Sequence, residues 1–68
     1  MNNKFKIRLR ELRIERKLSQ KELSNLLGFG RTTVNDWEVK GTEPTLDTII
    51  KIAQFFEVST DYLLGLED

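Results

Sequence analysis

Residues 18–38 read LSQKELSNLLGFGRTTVNDWE, and this stretch decides the fold of the chain. Ser19, with Glu22 three residues later, forms a capping box, which is a start signal for a helix. Leucines then recur at helical spacing, and Gly28 suits the left-handed backbone position that follows a helix C-terminus. The stretch therefore predicts a short helix over about residues 20–27.

A further helix is predicted after a connection of only three residues, 28–30, which forces a sharp angle between the two helices. Gly30 is expected to cap it, and the pattern places it over about residues 31–39. Val34 and Trp37, three residues apart, are expected to face the core. That leaves an outward set of polar side chains, namely Arg31, Thr32, Asn35 and Asp36.

The rest of the chain predicts three more short helices and no strand, so the fold class is all-α, in one domain over residues 1–68. The first helix is expected over about residues 4–17. Thr45 is expected to cap the fourth helix, and Ser59 to start a last helix that Gly65 ends. The predicted buried stripe of the fourth helix is Leu46, Ile49, Ile50, Ala53 and Phe56.

The composition excludes several classes of protein. The chain has 68 residues with neither cysteine nor histidine, so the usual metal ligands, disulfides and general bases are missing. No apolar run approaches the roughly 18 residues of a membrane span. We therefore expect a cytoplasmic protein that is not an enzyme, with no metal, cofactor, small-molecule ligand or membrane partner.

The zero net charge hides an asymmetry between the two halves of the chain. Residues 1–31 carry nine basic against three acidic side chains, a balance of +6, and residues 32–68 carry two against eight, a balance of −6. Because a polyanion meets local surface and not net charge, a neutral total does not exclude a nucleic-acid partner.

Three features of the stretch carry a resemblance: Gln20 in the first turn of a helix, small Ser24 where two helices approach, and Gly28 at the turn. With them, residues 18–38 resemble the helix-turn-helix of the phage-repressor/Cro family, also called XRE-type. Residues 43–65, EPTLDTIIKIAQFFEVSTDYLLG, resemble the region that follows it in that family. The resemblance implies a compact five-helix lambda-repressor-like domain, with helices 2 and 3 forming a motif over about residues 19–39.

The chain departs from the family pattern at four positions. Gly30 stands where a capping serine is commoner, Leu26 occupies an often polar position, and Asp36 stands where polar or basic residues prevail. After helix 3 the family often has Asn-Gly, whereas this chain has residues 39–40, Val-Lys, and places its glycine one step later at Gly41.

The resemblance implies that helix 3 enters the major groove of DNA and reads bases with four side chains, Arg31, Thr32, Asn35 and Asp36. Arginine suits guanine, the threonine methyl suits thymine, and asparagine suits adenine. In the family, the residues that contact phosphates correspond to Ser19, Gln20, Thr33, Lys40 and Thr42. The residue at the Gln20 position can alternatively brace the first reading residue.

Asp36 has three physical explanations as a residue of the reading helix. Its carboxylate can accept a hydrogen bond from cytosine N4. It can orient Arg31 or a neighbouring polar side chain, or it can repel phosphates when the helix is out of register. The sequence does not choose between them.

The function that the resemblance implies is sequence-specific binding of double-stranded DNA to regulate transcription, as a repressor in a bacterium or phage. Such proteins bind palindromic operators as homodimers, and we expect Tyr62 and Leu66 at the dimer interface, with Ile7 and Ile14 as a weaker candidate pair. The alternative is a protein-interaction module of the same fold, such as an antitoxin or a partner of an anti-repressor, with weak or no DNA binding. The acidic second half and Leu26 support it.

Overall fold

Five short helices follow one another in the computed structural model, which describes residues 3–67. They are α1 (Phe5–Glu15), α2 (Gln20–Leu26), α3 (Thr33–Asn35), α4 (Leu46–Phe56) and α5 (Thr60–Leu64). α3 continues without a break into the π-helical segment Asp36–Lys40, and we call the two together the third helix. No strand occurs between residues 3 and 67, so the prediction of an all-α, five-helix domain is confirmed.

The core is a single cluster to which every helix contributes. Trp37 lies in it, with its ring edge-on to the rings of Phe5 at 6.2 Å and Phe29 at 5.5 Å between centroids. Its burial and that of Val34 confirm that one side of the third helix faces inward. The buried apolar residues are Phe5, Leu9, Leu12, Leu23, Leu27, Val34, Trp37, Ile49, Ile52, Ala53, Phe56 and Leu63.

α2 begins and ends where the local signals predict. The Ser19 hydroxyl accepts from the Glu22 N–H at 3.0 Å, and the Glu22 carboxylate accepts from the Ser19 N–H at 2.9 Å. At the other end Gly28 has φ +86°, and the Phe29 N–H donates to the Ser24 carbonyl at 2.9 Å. Capping box and left-handed glycine are both confirmed, because each depends only on residues close in the chain.

The third helix starts later than predicted. Gly30 does not cap it: the Thr33 N–H donates to the Gly30 carbonyl at 3.0 Å, which closes a tight turn before the helix begins. Thr32 takes the N-cap position with φ −99° and ψ −2° and makes no side-chain capping bond. Arg31 therefore lies in the turn that leads into the helix and not within its first turn.

Two other predictions about helices need correction. α1 ends at Glu15, before the predicted limit of 17, because Lys17 is left-handed with φ +58° and reverses the chain. In α4 the predicted stripe is partly wrong, since Leu46 is 83% exposed and Ile50 is 47% exposed. Ile52 is buried instead, because packing against the other helices selects one of two apolar faces that the sequence offers.

The third helix ends in a wide turn. The Gly41 N–H donates to the Asp36 carbonyl five residues back, one residue more than an α-helical bond spans. Gly41 is left-handed with φ +75°, and the Thr42 N–H donates to the same carbonyl at 3.1 Å. The left-handed glycine that ends the third helix is therefore Gly41, one position later than in the family pattern.

Candidate nucleic-acid interface

A buried hydrogen bond fixes the third helix against α2. Ser24 is fully buried in α2, and its hydroxyl accepts from the backbone N–H of Val34 at 3.0 Å. Val34 is the second residue after the N-cap Thr32, and its N–H is one that a local capping side chain would otherwise satisfy. The sequence interpretation gave Ser24 only a role in close packing, so this capping role was missed.

A buried ion pair supports the same junction from α1. The Arg13 guanidinium donates to the Glu38 carboxylate through Nε at 2.8 Å and Nη2 at 3.0 Å. The Glu38 side chain is 2% exposed and that of Arg13 is 11% exposed, so the pair is shielded from water. The third donor nitrogen, Nη1, donates to the Leu18 carbonyl at 2.8 Å. Because the partners are 25 residues apart, no local pattern indicates this pair.

Two amide side chains extend this ion pair to the outer side of the third helix. Gln20 Nε2 donates to Glu38 Oε1 at 3.1 Å, and Asn35 Nδ2 donates to Gln20 Oε1 at 3.0 Å. We call Arg13, Glu38, Gln20 and Asn35 the polar network. It connects α1, the first residue of α2 and the middle of the third helix.

The residues predicted to read bases fall into two groups. Arg31 and Thr32 are exposed in the turn before the third helix. Asn35 and Asp36 are half-buried, and each already has a partner. Arg31, Thr32 and Asn35 lie between Gly30 and the π-helical segment, and Asp36 is the first residue of that segment.

The residues predicted to contact phosphates differ more widely in their surroundings. Ser19, Lys40 and Thr42 are exposed, and Thr33 is half-buried at the start of the third helix. Gln20 is half-buried, with one end of its amide on Glu38 and the other on Asn35.

Asp36 lies beside Lys40 and not beside Arg31. The Lys40 Nζ is 3.5 Å from Asp36 Oδ1, on a pair of residues that are partly open to solvent. Among residues 3–67, Asp36 forms no ion pair with Arg31. Of the possible orienting roles, the geometry therefore favours one toward Lys40.

Three arginines in the first half of the chain have hydrogen-bond partners within the fold. Arg8 donates to the Tyr62 carbonyl at 3.2 Å, and Arg16 donates to the Phe56 carbonyl at 3.4 Å. Both carbonyls lie near the C-terminal ends of helices, where a cation is stabilising. Of these three arginines, Arg13 is neutralised in the buried pair, whereas Arg8 and Arg16 keep their charge and Arg16 stays exposed.

The capping box of α2 changes the titration of Glu22. Its carboxylate accepts the Ser19 backbone N–H, and this hydrogen bond lowers the pKa of Glu22 below its ordinary value; the Ser19 hydroxyl adds to the lowering. The capping box therefore holds a negative charge at the start of α2, where the helix dipole favours it.

The predicted dimer residues lie at the C-terminal end of the described chain. Leu66 is 74% exposed. Tyr62 is half-buried, and the Arg8 guanidinium lies over its ring at 4.3 Å from the centroid. Ile7 and Ile14 are each about half exposed on α1.

Two further observations concern residues 3–67. No group of three or more histidine, cysteine, aspartate or glutamate side chains is placed to hold a metal ion. None of the helices there has the length and apolar character needed to cross a membrane.

Known proteins are similar to this chain in sequence. The transcriptional regulator YobD of Bacillus subtilis (strain 168) is 36% identical over 61 residues, which are 90% of this chain and 54% of YobD. The cryptic phage CTXphi transcriptional repressor RstR of Vibrio cholerae is 44% identical over 55 residues, 79% of this chain and 49% of RstR. The chain thus spans about half the length of these relatives.

A solved structure and a family model agree with these relatives. The P22 c2 repressor in complex with synthetic operator 9T superposes with a TM-score of 0.81 at 27% identity, over 93% of this chain and 96% of that one. The model of the helix-turn-helix family matches residues 9–63. This chain therefore belongs to the helix-turn-helix family of the phage-repressor/Cro (XRE) type, as its sequence predicts.

Proposed function

We propose that this domain binds double-stranded DNA in a sequence-specific way, with the third helix in the major groove, and that it regulates transcription as a repressor. The observation that carries the proposal is the bond between the Ser24 hydroxyl and the Val34 N–H at 3.0 Å. It holds the third helix in one orientation on α2 and leaves Arg31 and Thr32 exposed in front of it. The P22 c2 repressor, of the same fold, is bound to an operator.

In this arrangement Arg31 and Thr32 reach base edges first, and Asn35 and Asp36 follow one turn later. Arg31 is suited to guanine O6 and N7. Ser19, Thr33, Lys40 and Thr42 lie on either side of the reading segment and contact the phosphates, with Gln20 as a further candidate. The bound repressor then blocks polymerase sterically.

The protein acts on DNA as a homodimer on a palindromic operator, with half-sites about one helical turn, roughly 34 Å, apart. Leu66, which is 74% exposed, and the neighbouring Tyr62 form the interface in this proposal. Leu66→Glu should lower both the dimer fraction in sedimentation and the affinity for a two-half-site duplex. Tyr62→Glu should do the same, although it also removes the ring beneath Arg8. A sedimentation profile unchanged in both variants would exclude this interface.

The test of DNA binding is selection from a pool of random duplexes, followed by affinity measurements on the selected site. A dimer that places Lys40 of each subunit on a phosphate neutralises about two phosphates. Its affinity should therefore fall at least roughly tenfold between about 50 and 200 mM salt. Arg31→Ala should reduce affinity and relax one base preference, whereas the matched variant Lys6→Ala, an exposed cation on α1, should leave the preference unchanged.

The second candidate function is protein interaction through the same fold. One observation favours it: Leu26 is 58% exposed on α2, next to the proposed reading segment in the chain. If no duplex is selected, the proposal of DNA binding is wrong, and the exposed Leu26 makes protein interaction the function to test next.

A further inference from the structure

The hydrogen bonds of the polar network run in one direction, which the negative charge of Glu38 sets. The Glu38 carboxylate accepts hydrogen bonds only, so Gln20 must turn its NH2 group toward it, at 3.1 Å. The Gln20 carbonyl oxygen then faces Asn35 and requires a donor, which the Asn35 NH2 group supplies at 3.0 Å. If either amide were flipped, two hydrogen-bond acceptors or two donors would face each other.

Glu38, which sets this direction, is shielded from water. The Glu38 side chain is 2% exposed, and two nitrogens of Arg13 hold its carboxylate in place. Gln20 sits at the first residue of α2, whose position the Ser19 capping box fixes. The orientation is therefore imposed from inside the fold before any ligand is present.

One consequence concerns what Asn35 still offers to a ligand. With one N–H committed to Gln20, its side chain retains the carbonyl oxygen and the second N–H. These two atoms are the acceptor and donor that match N6–H2 and N7 of adenine in the major groove. An Asn35 without Gln20 would be free to rotate and to present its amide in either sense.

We propose that Gln20 is a positioning residue for base reading: it fixes the Asn35 amide so that Asn35 selects an A·T pair. This inference rests on the proposed DNA binding and adds to it the residue that sets one base preference. It differs from the roles that the family resemblance implies for Gln20, a phosphate grip or a brace for the first reading residue, because the side chain contacts Asn35. Gln20 keeps one free N–H, so a phosphate contact can coexist with this role.

The experiment compares base preference at each position of the selected site for the unchanged protein and four variants. Asn35→Ala identifies the position that Asn35 reads, because the preference there disappears. Gln20→Met keeps the length of the side chain but removes both polar ends, and it should reduce the adenine preference at that same position by about tenfold. The double variant should lose no more preference there than Asn35→Ala alone. Lys21→Met, on the exposed neighbour of Gln20, is the matched control.

The outcomes separate this inference from the proposed function. If Gln20→Met weakens binding equally on all sequences and leaves the adenine preference intact, Gln20 only grips phosphate and the inference is overturned. A shift of preference at the Arg31 position instead would also overturn it. If the unchanged protein binds no duplex, it is the proposed function that fails. Should Gln20→Met not fold, Gln20→Ala, with a better helix former in the first turn, gives the same comparison.

Discussion

The two turns that join α2 to the third helix and α4 to α5 solve the same problem differently. Each follows a left-handed residue, Gly28 in the first and Glu57 in the second. In the second turn the new helix is capped locally, because the Ser59 hydroxyl accepts from the Tyr62 N–H at 2.9 Å. In the first turn the cap comes from Ser24 on the preceding helix. A local cap starts a helix, whereas a cap from a neighbouring helix also fixes the angle between the two.

The largest expected effect comes from removing the charge of Glu38, which supports the turn between α2 and the third helix and not the turn between α4 and α5. Glu38→Gln leaves the Arg13 guanidinium buried without a counter-charge, and breaking such a pair costs about 3 kcal/mol or more. Urea unfolding followed by circular dichroism measures the loss. Glu43→Gln, on an exposed loop residue, is the control and should change the free energy of unfolding by less than about 0.5 kcal/mol. A loss below about 1 kcal/mol for Glu38→Gln would show that the pair contributes little.

The two serines allow the two kinds of cap to be compared directly. Ser24→Ala leaves the buried Val34 N–H unsatisfied and should cost about 2 kcal/mol. Ser59→Ala removes an exposed local cap and should cost about 1 kcal/mol. Thermal unfolding ranks the two, and DNA affinity measured well below both midpoints should fall only for Ser24→Ala. Equal losses of affinity would contradict the distinction between the caps.

Substitutions at the two left-handed residues, Gly28 and Glu57, should change the free energy of unfolding by smaller amounts and in opposite directions. Gly28→Ala should destabilise by about 1 kcal/mol, since a Cβ there meets only the end of the Lys51 side chain, at 3.6 Å, and the cost is that of the backbone. Glu57→Gly relieves the same strain at φ +57° and should stabilise by about 0.5–1 kcal/mol. Midpoints of urea unfolding measure both, and a destabilised Glu57→Gly variant would contradict the strain argument.

The smallest effect concerns pH and the capping box of α2. Because folding lowers the pKa of Glu22, its contribution to stability is complete above the ordinary glutamate pKa of about 4.3 and is lost as the pH falls through the lowered value. NMR titration of the Glu22 carboxyl should give a pKa below the ordinary value, and Ser19→Ala should move it back up. An unchanged Glu22 pKa in Ser19→Ala would remove the hydroxyl as a contributor.

The same comparison explains which features the sequence predicts. α2, its Ser19 cap and its left-handed Gly28 were predicted because they depend on residues within one or two turns. The Ser24 cap and the Glu38 ion pair were missed because their partners lie 10 and 25 residues away. A buried serine opposite a helix without a good local cap is the signal that could have indicated the first of these.

The candidate site divides in the same way. The chemical character of Arg31, Thr32, Asn35 and Asp36 follows from the sequence, and their outward placement follows from the spacing of Val34 and Trp37. What the sequence cannot supply is the chain of hydrogen bonds behind them, since Gln20 meets Asn35 only after the two helices have packed. The buried stripe of α4 is predicted only in part: Ile49, Ala53 and Phe56 are buried as expected, whereas Ile52 is buried in place of Leu46 and Ile50.

The π-helical turn at the end of the third helix has a consequence for the phosphate contacts proposed beside the reading residues. The Gly41 and Thr42 N–H groups both donate to the Asp36 carbonyl, so the backbone of the following loop is bonded to a residue proposed to read bases. Lys40 and Thr42, the two proposed phosphate contacts of this loop, are exposed on the same turn. A movement of Asp36 on DNA is therefore passed on to both, and base reading and phosphate binding are coupled through a single carbonyl oxygen.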